Sequence, residues 1–258
     1  MGHPSLDLTG KVAVVVGGTA GIGRALALGI AEAGADVVAC GRGRERVDET
    51  ARAIEARGRR TLRVSADVTE RASLEAAREA VLAAFGGLDI LVNCAGRIKR
   101  TPLLEISEEE WHGILDTNLT GILRSCQVFG PPMLERGYGR IVNIASLNSF
   151  VSLLEVSAYA ASKAGAAGLT RSLAVEWGPR GVNVNAIAPG IFRTELNAAL
   201  LDDTERGREL RMRTPLKRFG RVEELVGCCV FLASDAASFT NGQIVAVDGG
   251  FLASGVNQ

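Results

Sequence analysis

Strand-like and helix-like segments alternate along the whole of this 258-residue chain. The strand-like segments are short, continuous runs rich in β-branched residues, and a glycine-rich turn follows the first of them. These observations predict an α/β fold with a single doubly wound parallel sheet of about seven strands and helices on both faces. Runs that are apolar at successive positions suit strands covered on both sides.

Met1 to Leu8 reads as a lead-in, and Lys11 to Val16 (KVAVVV) as the first strand. The turn Gly17-Gly18-Thr19-Ala20-Gly21-Ile22-Gly23 opens an apolar-periodic helix to about Ala33, which Gly34 ends. Asp36 to Gly41 is a second strand, Arg44 to Arg57 a helix stopped by Gly58, and Thr61 to Ala66 a third strand ending at Asp67. Glu70 to Phe85 is helical and closes on Gly86-Gly87. Leu88 to Asn93 is the fourth strand, and a loop from Cys94 runs to Ile106. Ser107-Glu108-Glu109-Glu110 is a capping-box start for a long helix, which Pro131-Pro132 should bend or interrupt. Arg140 to Ala145 is the fifth strand, Ser157 to Trp177 a long helix, and Asn183 to Ile187 a sixth strand broken by Pro189-Gly190. Thr194 to Arg213 is charged and reads as a helical excursion. Glu223 to Ala233 is a helix, and Gln243 to Val247 a last strand. No linker, repeat or low-complexity tract divides the chain, so residues 1–258 read as one domain, with a mobile substrate-side excursion at about 190–215.

Composition narrows the function. The formal net charge is zero, so no global field favours nucleic acid or an anionic membrane surface. The basic stretch from Arg52 to Arg63 reads as a solvated helix end and turn. No apolar run approaches a membrane span. Five cysteines without a disulfide framework or C-x-x-C, and no signal peptide, suggest reduced thiols in a cytoplasm. The two histidines, His3 and His112, offer no metal-ligand cluster. They leave a Ser-His-Asp hydrolase only through His112, and Ser146 lacks a nucleophile-elbow context.

In a doubly wound sheet, ligands bind at the carboxyl ends of the strands. Gly17–Gly23, Gly41-Arg42, Asp67, Asn93–Gly96, Ser146 and Pro189-Gly190 all fall at predicted strand ends and should converge on one crevice. The glycine turn suits a pyrophosphate, because glycine allows close backbone approach and the helix N-terminus offers free N–H groups. Its spacing is G-x-x-x-G-x-G, and a turn needing only φ > 0 would also use glycine. The second strand end, Cys40-Gly41-Arg42-Gly43-Arg44, has no acid for a ribose but has Arg42 for a 2′-phosphate. That favours NADP(H) over NAD(H), against the alternative of a solvated loop arginine. Asp67 is either an acceptor for the adenine amino group or a helix N-cap. Further along, Ser146 leaves a strand end, and Tyr159 and Lys163, four apart, share one helix face. Such a trio could activate a carbonyl or an alcohol. Taken singly, the three are an ordinary helix pair and a turn residue.

At these motifs the chain resembles the short-chain dehydrogenase/reductase family, from about Leu6 to Leu252. The family's T-G-x-x-x-G-x-G falls on Val16 to Gly23, with Val16 in place of Thr. N-N-A-G falls on Asn93-Cys94-Ala95-Gly96, with Cys94 in place of the second Asn. The catalytic Asn falls on Asn118, the Ser on Ser146, Y-x-x-x-K on Tyr159 and Lys163, and P-G-x-x-x-T on Pro189, Gly190 and Thr194. The resemblance implies a Rossmann-like NAD(P)-binding fold. It also implies cofactor contacts from Gly17, Thr19, Gly21, Ile22, Gly23, Arg42, Asp67, Val68, Asn93, Ala95, Gly96, Tyr159, Lys163, Pro189, Gly190 and Thr194. A free tyrosine has a pKa of about 10, and a nearby ammonium lowers it. Lys163 is the expected source of that effect, Ser146 would steady the substrate oxygen, and Asn118 would hold a water near Lys163.

For the substrate, Arg97, Lys99, Arg100 and Arg193 concentrate positive charge in loops beside the crevice, where solvated loop charge is the alternative. With Ser146, Asn148 and Tyr159 they form the candidate substrate set, and Ser149 could also bind hydroxyls. The segments LVNCAGRIKR, IVNIASLNSF, IAPGIFRTEL and RTPLKRFG resemble the sugar-acid branch of the family, which includes gluconate 5-dehydrogenase and 2-deoxy-gluconate or 2-keto-3-deoxygluconate dehydrogenases. The implied activity is hydride transfer between a nicotinamide and a secondary alcohol or ketone of a sugar acid such as gluconate or 5-ketogluconate. The alternatives are a 3-oxoacyl-thioester (acyl carrier protein) reductase and a non-catalytic nucleotide-binding regulator. The expected partner is a small hydroxy or keto molecule, with no nucleic acid, membrane or metal. Resemblance further implies a cytoplasmic homotetramer that pairs the helices Ser107–Arg136 and Ser157–Trp177.

Overall fold

The structure is a computed structural model and describes residues 3–195 and 197–255. In chain order it comprises β1 (Val12–Val16), α1 (Gly21–Glu32), β2 (Asp36–Cys40), α2 (Arg44–Glu55), α3 (Arg71–Phe85) and β3 (Ile90–Asn93). Then come α4 (Glu108–Leu115), α5 (Gly121–Arg136), β4 (Gly139–Ile144), α6 (Ser157–Trp177) and β5 (Val182–Pro189). The chain closes with α7 (Ala198–Leu201), α8 (Glu205–Arg213), α9 (Val226–Ala233) and β6 (Ile244–Val247).

All five strand pairings are parallel, in the order β2-β1-β3-β4-β5-β6. Side chains alternate between faces, as the two-residue period of a strand requires. Val14 and Val16 join the apolar cluster that holds Leu74 of α3, Phe129 of α5 and Trp177 of α6. Ala13 and Val15 join the opposite cluster, with Ile30 of α1 and Leu232 of α9. The sheet is therefore covered on both sides, which is why its strands read as unbroken apolar runs. Among the described residues no helix is long and apolar enough to cross a membrane.

Among the described residues the sheet has six strands, in keeping with the expected count of about seven. The expected strand Thr61 to Ala66 makes only an isolated bridge, with Ser65 opposite Gly41 and the Ala66 amide on the Gly41 carbonyl at 3.0 Å. Leu62 and Val64 still pack against the core, so the apolar pattern is real. The arginines in and before the segment, however, are tied down by side chains: Arg60 by Asp36, and Arg63 by Asp48 and Glu55. No continuous ladder forms at that edge.

The long helix also differs from expectation. Ser107 caps α4 by accepting the Glu110 amide at 3.1 Å, but the Glu110 carboxylate turns to Lys99 and Thr101 and leaves the box half made. Pro131 and Pro132 lie inside α5 without ending it. The Trp177 ring closes over Gly130, where a Cβ would come within 2.6 Å of the ring, so packing holds the segment helical despite the prolines. The interruption sits earlier, as a π-helical turn over Asp116–Thr120. Such turns concentrate at functional sites.

Register aligns the carboxyl ends. Val16 pairs with Cys40 on one side and Asn93 on the other, Asn93 with Asn143, and Ile144 with Ile187. The chain order reverses between β1 and β3, the place where an open parallel sheet receives its ligand.

Candidate active site

A crevice of about 1260 Å³ lies over that reversal point. Its first wall is the glycine turn. Gly17 has φ +79°, and a Cβ there would lie 2.5 Å from the Ala95 amide; one at Gly23 would lie 2.0 Å from the Gly17 carbonyl. No other residue fits. The departures from the family pattern at Val16 and Cys94 are bridged by backbone: the Cys94 amide donates to the Val16 carbonyl at 2.8 Å, and the Gly17 amide to Cys40 at 2.9 Å. α1 begins at Gly21 behind Ala20, which supplies no side-chain cap, and its first turn holds no acid. Free N–H groups and the positive helix end therefore face the crevice, and they fit the pyrophosphate of a dinucleotide.

Gly17, Thr19, Gly21, Ile22, Gly23, Arg42, Asp67, Val68, Ala95, Gly96, Tyr159, Lys163, Pro189, Gly190 and Thr194 all line the crevice. Asn93 does not. Its buried amide donates to Asn143 Oδ1 at 2.8 Å, and Asn143 donates to Thr170 Oγ1 at 2.9 Å. This chain ties β3, β4 and α6 together beneath the site, so Asn93 supports the crevice from below. Asp67 lines it without capping α3, whose N-cap is Glu70; its Oδ1 accepts from the Thr69 amide and hydroxyl. At the end of β2, Gly41 presses on Thr19 so closely that a Cβ would meet Oγ1 at 2.3 Å. Arg42 reaches the crevice, and so does Arg46, which the sequence reading missed. Its only signal was its place in the first turn of α2, one turn beyond Arg42. Arg46 stands 3.8 Å from Glu195, an exposed pair.

At the other end, Ser146 follows β4, and Tyr159 and Lys163 project from α6. Lys163 Nζ donates to the Ile144 carbonyl at 2.7 Å and lies 5.7 Å from the centre of the Tyr159 ring. Asn118 sits in the π-helical turn, wholly buried. Its Oδ1 accepts the Arg97 amide at 2.8 Å, and its Nδ2 donates to the Arg97 carbonyl at 2.9 Å and to Ser162 Oγ at 3.1 Å. The side chain thus fixes the loop after β3 to α6. A Cβ on Gly96 would lie 3.5 Å from Asn118 Oδ1 and 3.8 Å from Lys163 Nζ, so these groups crowd one corner.

Burial dominates the titration of both helix groups. It lowers Lys163 to about 8, with Cys94 opposing. It raises Tyr159, with the adjacent Ser146 pulling the other way. The Lys163 ammonium does not figure among the causes of this shift, in which burial is the largest.

The basic loops did not remain free. Lys99 pairs with Glu110, Arg100 with Glu155, and Arg193 bidentately with Asp202 at 2.6–3.0 Å. None of the three lines the crevice, whereas Arg97 does and makes no ion pair among the described residues. Asn148 is buried outside the crevice lining, and its Nδ2 lacks a partner. Ser149 is committed to the Lys163 carbonyl at 2.7 Å. Sequence spacing carried no sign of these pairings, because the partners come from other loops and helices.

A family model described as Enoyl-(Acyl carrier protein) reductase matches residues 17–252. The chain is 40% identical over 255 residues to a gluconate 5-dehydrogenase of Gluconobacter oxydans (strain 621H), covering 98% of this chain and 100% of that one. It is 42% identical over 244 residues to a D-threitol dehydrogenase of Mycolicibacterium smegmatis, covering 95% and 94%. Among solved structures, it matches a gluconate 5-dehydrogenase from Burkholderia cenocepacia J2315, in complex with NADP and tartrate, with TM-score 0.94 and 39% identity over 97% of this chain and 98% of that one.

Proposed function

From the premise that the chain belongs to the short-chain dehydrogenase/reductase family, whose members are oxidoreductases acting on CH–OH groups, we propose that it interconverts a hydroxyl and a ketone of a sugar acid, with gluconate and 5-ketogluconate as the reference pair. The observation that carries this reading is the convergence of Ser146, Tyr159 and Lys163 on the same crevice as the uncapped start of α1. A nicotinamide held along the glycine turn and Arg42 would supply or accept the hydride. The Ser146 hydroxyl hydrogen-bonds the substrate oxygen and steadies the charge that builds there. Tyr159, whose phenol burial raises, gives its proton to that oxygen in the reductive direction and receives one in the oxidative direction. Lys163, anchored on the Ile144 carbonyl, holds its ammonium near the phenol and favours the phenolate when the proton leaves. Asn118 keeps the Arg97 loop and α6 in fixed relation, which positions the corner where a proton path would run.

NADP(H) is the preferred cofactor in this reading. The end of β2 offers no carboxylate, and Arg42 and Arg46 face the crevice there. A cytoplasmic homotetramer packed through α5 and α6 completes the proposal. Exposed Leu123 and Val175 on those helices support the packing, and five cysteines free of disulfides support the compartment. The test is a panel of gluconate, 5-ketogluconate, threitol and acetoacetyl thioesters, each with NAD(H) and NADP(H). The expected result is highest kcat/KM for the sugar acids with NADP(H). Turnover of the thioesters alone would overturn the substrate class, and a preference for NAD(H) would overturn the cofactor assignment.

A further inference from the structure

Four cations line the crevice: Arg42, Arg46, Arg97 and Lys163. Sheet order sets them out. Arg42 follows β2, the glycine turn follows β1, Arg97 lies in the loop after β3, and Lys163 is anchored at 2.7 Å on the Ile144 carbonyl at the end of β4. The Arg97 loop packs directly on the glycine turn, where a Cβ on Gly17 would come within 2.5 Å of the Ala95 amide nitrogen. Two residues on, the buried Asn118 amide clamps the Arg97 backbone. It accepts the Arg97 N–H at 2.8 Å and donates to the Arg97 carbonyl at 2.9 Å. The side chain therefore springs from a fixed root.

Its guanidinium rests against α4. A Cβ on Gly113 would lie 3.3 Å from Nη1, so the glycine leaves it room. The π-helical turn that follows is tied to the Val68 part of the crevice, because Arg124 donates to Asp116 at 2.7 Å and to the Val68 carbonyl at 3.2 Å. The side chain thus leaves the corner that Gly96 shares with Lys163 and runs toward the adenosine half. The carboxylates one turn to either side of Gly113 are already taken, Glu110 by Lys99 and Thr101, and Asp116 by Arg124. Arg97 itself is exposed in the crevice with five N–H groups, and its side chain makes no hydrogen bond or ion pair among the described residues. The glycine turn beside it offers N–H dipoles but no full charge, whereas a dinucleotide's pyrophosphate carries a negative charge on each phosphate.

We propose that Arg97 closes on the pyrophosphate of the dinucleotide, as the charged partner of the glycine turn, rather than on the carboxylate of the substrate. The inference rests on the nicotinamide-dinucleotide reading above and not on the choice of substrate. Its signature is indifference to the 2′-phosphate, because NADP(H) and NAD(H) share the pyrophosphate that Arg97 meets, while Arg42 addresses a group that only NADP(H) has.

The test is nucleotide binding with no substrate present. NADPH and NADH are titrated by fluorescence into the wild type, Arg97→Gln and Arg97→Lys. As a competitor of NADPH, 2′-AMP keeps the adenosine and the 2′-phosphate and lacks the pyrophosphate. In Arg97→Gln both dissociation constants rise by a similar factor, roughly threefold to thirtyfold, as befits one charge-assisted contact, and competition by 2′-AMP is unchanged. Arg97→Lys recovers part of the affinity. Unchanged constants for both nucleotides would overturn the proposal. So would a loss confined to NADPH, or a parallel loss for 2′-AMP, either of which would place Arg97 at the adenosine end. Thermal unfolding of Arg97→Gln without nucleotide matches the wild type, and a lower midpoint would overturn the claim that the side chain is free for a ligand. Turnover of gluconate against gluconamide, which keeps the carbon chain and loses the charge, distinguishes the other source of an anion. Unaltered nucleotide binding with a fallen kcat/KM ratio of acid over amide would give Arg97 to the substrate. If sugar acids are not turned over, the substrate reading fails by itself and the binding titrations still decide. A wild type that binds neither nucleotide would overturn the dinucleotide reading and this inference together.

Discussion

On the floor of the crevice, Asn118 and Lys163 reach their partners at 2.7–3.1 Å, and each of those partners belongs to a strand end or to an element bound directly to one. On the rim, Lys99, Arg100 and Arg193 are polar side chains of the same candidate site, yet each is held by a carboxylate from another part of the chain. The difference lies in what fixes them. Floor residues are carried by sheet register, which five parallel pairings determine together. Rim residues are placed by ion pairs between loops, each worth little where solvent screens it.

The sharpest way to break this contrast is Tyr159→Phe. Loss of a proton donor on the floor should cut kcat by about 10²- to 10⁴-fold while fluorescence titration still shows NADPH binding. A variant that kept its rate would remove the floor's claim to the chemistry. Lys163→Met has a smaller but more diagnostic effect. Burial holds the ammonium at about 8, against 10.5 when free. Between those values the unfolded chain binds more protons than the folded one, so the wild type gains stability as pH rises through that window. The difference in urea stability between Lys163→Met and wild type should shift by about 3 kcal/mol from pH 7.5 to 11, in the wild type's favour. A difference independent of pH would mean that the buried charge is fully compensated.

Arg42→Ala comes next. Losing one phosphate contact should raise the KM for NADPH about tenfold and leave that for NADH almost unchanged. If both rise together, Arg42 serves the turn and not the phosphate. The smallest effect is on the rim. Arg193→Ala removes an exposed, solvent-screened pair and should leave unfolding stability almost unchanged, the more so in high salt. A large loss would show that the rim is built as the floor is.

The same division explains what the sequence disclosed. Gly17, Gly21, Gly23, Arg42, Ser146, Tyr159 and Lys163 were legible because strand ends and helix faces follow from period and punctuation. The side-chain role of Asn93 was not legible, because its place at a strand end does not say which face its amide takes. It reaches the neighbouring strand at Asn143. The segment Thr61 to Ala66 has the composition of a strand, but whether a ladder forms depends on neighbours the local pattern does not contain. Arg46 was passed over, and the pairing of Lys99 went unseen, for one reason. The sequence shows the charge, and only the fold shows which carboxylate is already beside it.

The π-helical turn at Asp116–Thr120 adds a consequence of its own. An α-helix advances about 100° per residue, and one extra residue in a turn shifts everything beyond it by that phase. α4 and α5 can then serve as one rod with two orientations. Gly113 lines the crevice before the slip and Thr117 within it, and Phe129 and Met133 look into the core after it. A chain shortened by one residue in this turn would keep its helix and its hydrophobic content. It would have to choose which of the two faces to misalign, and Asn118 would leave its corner either way.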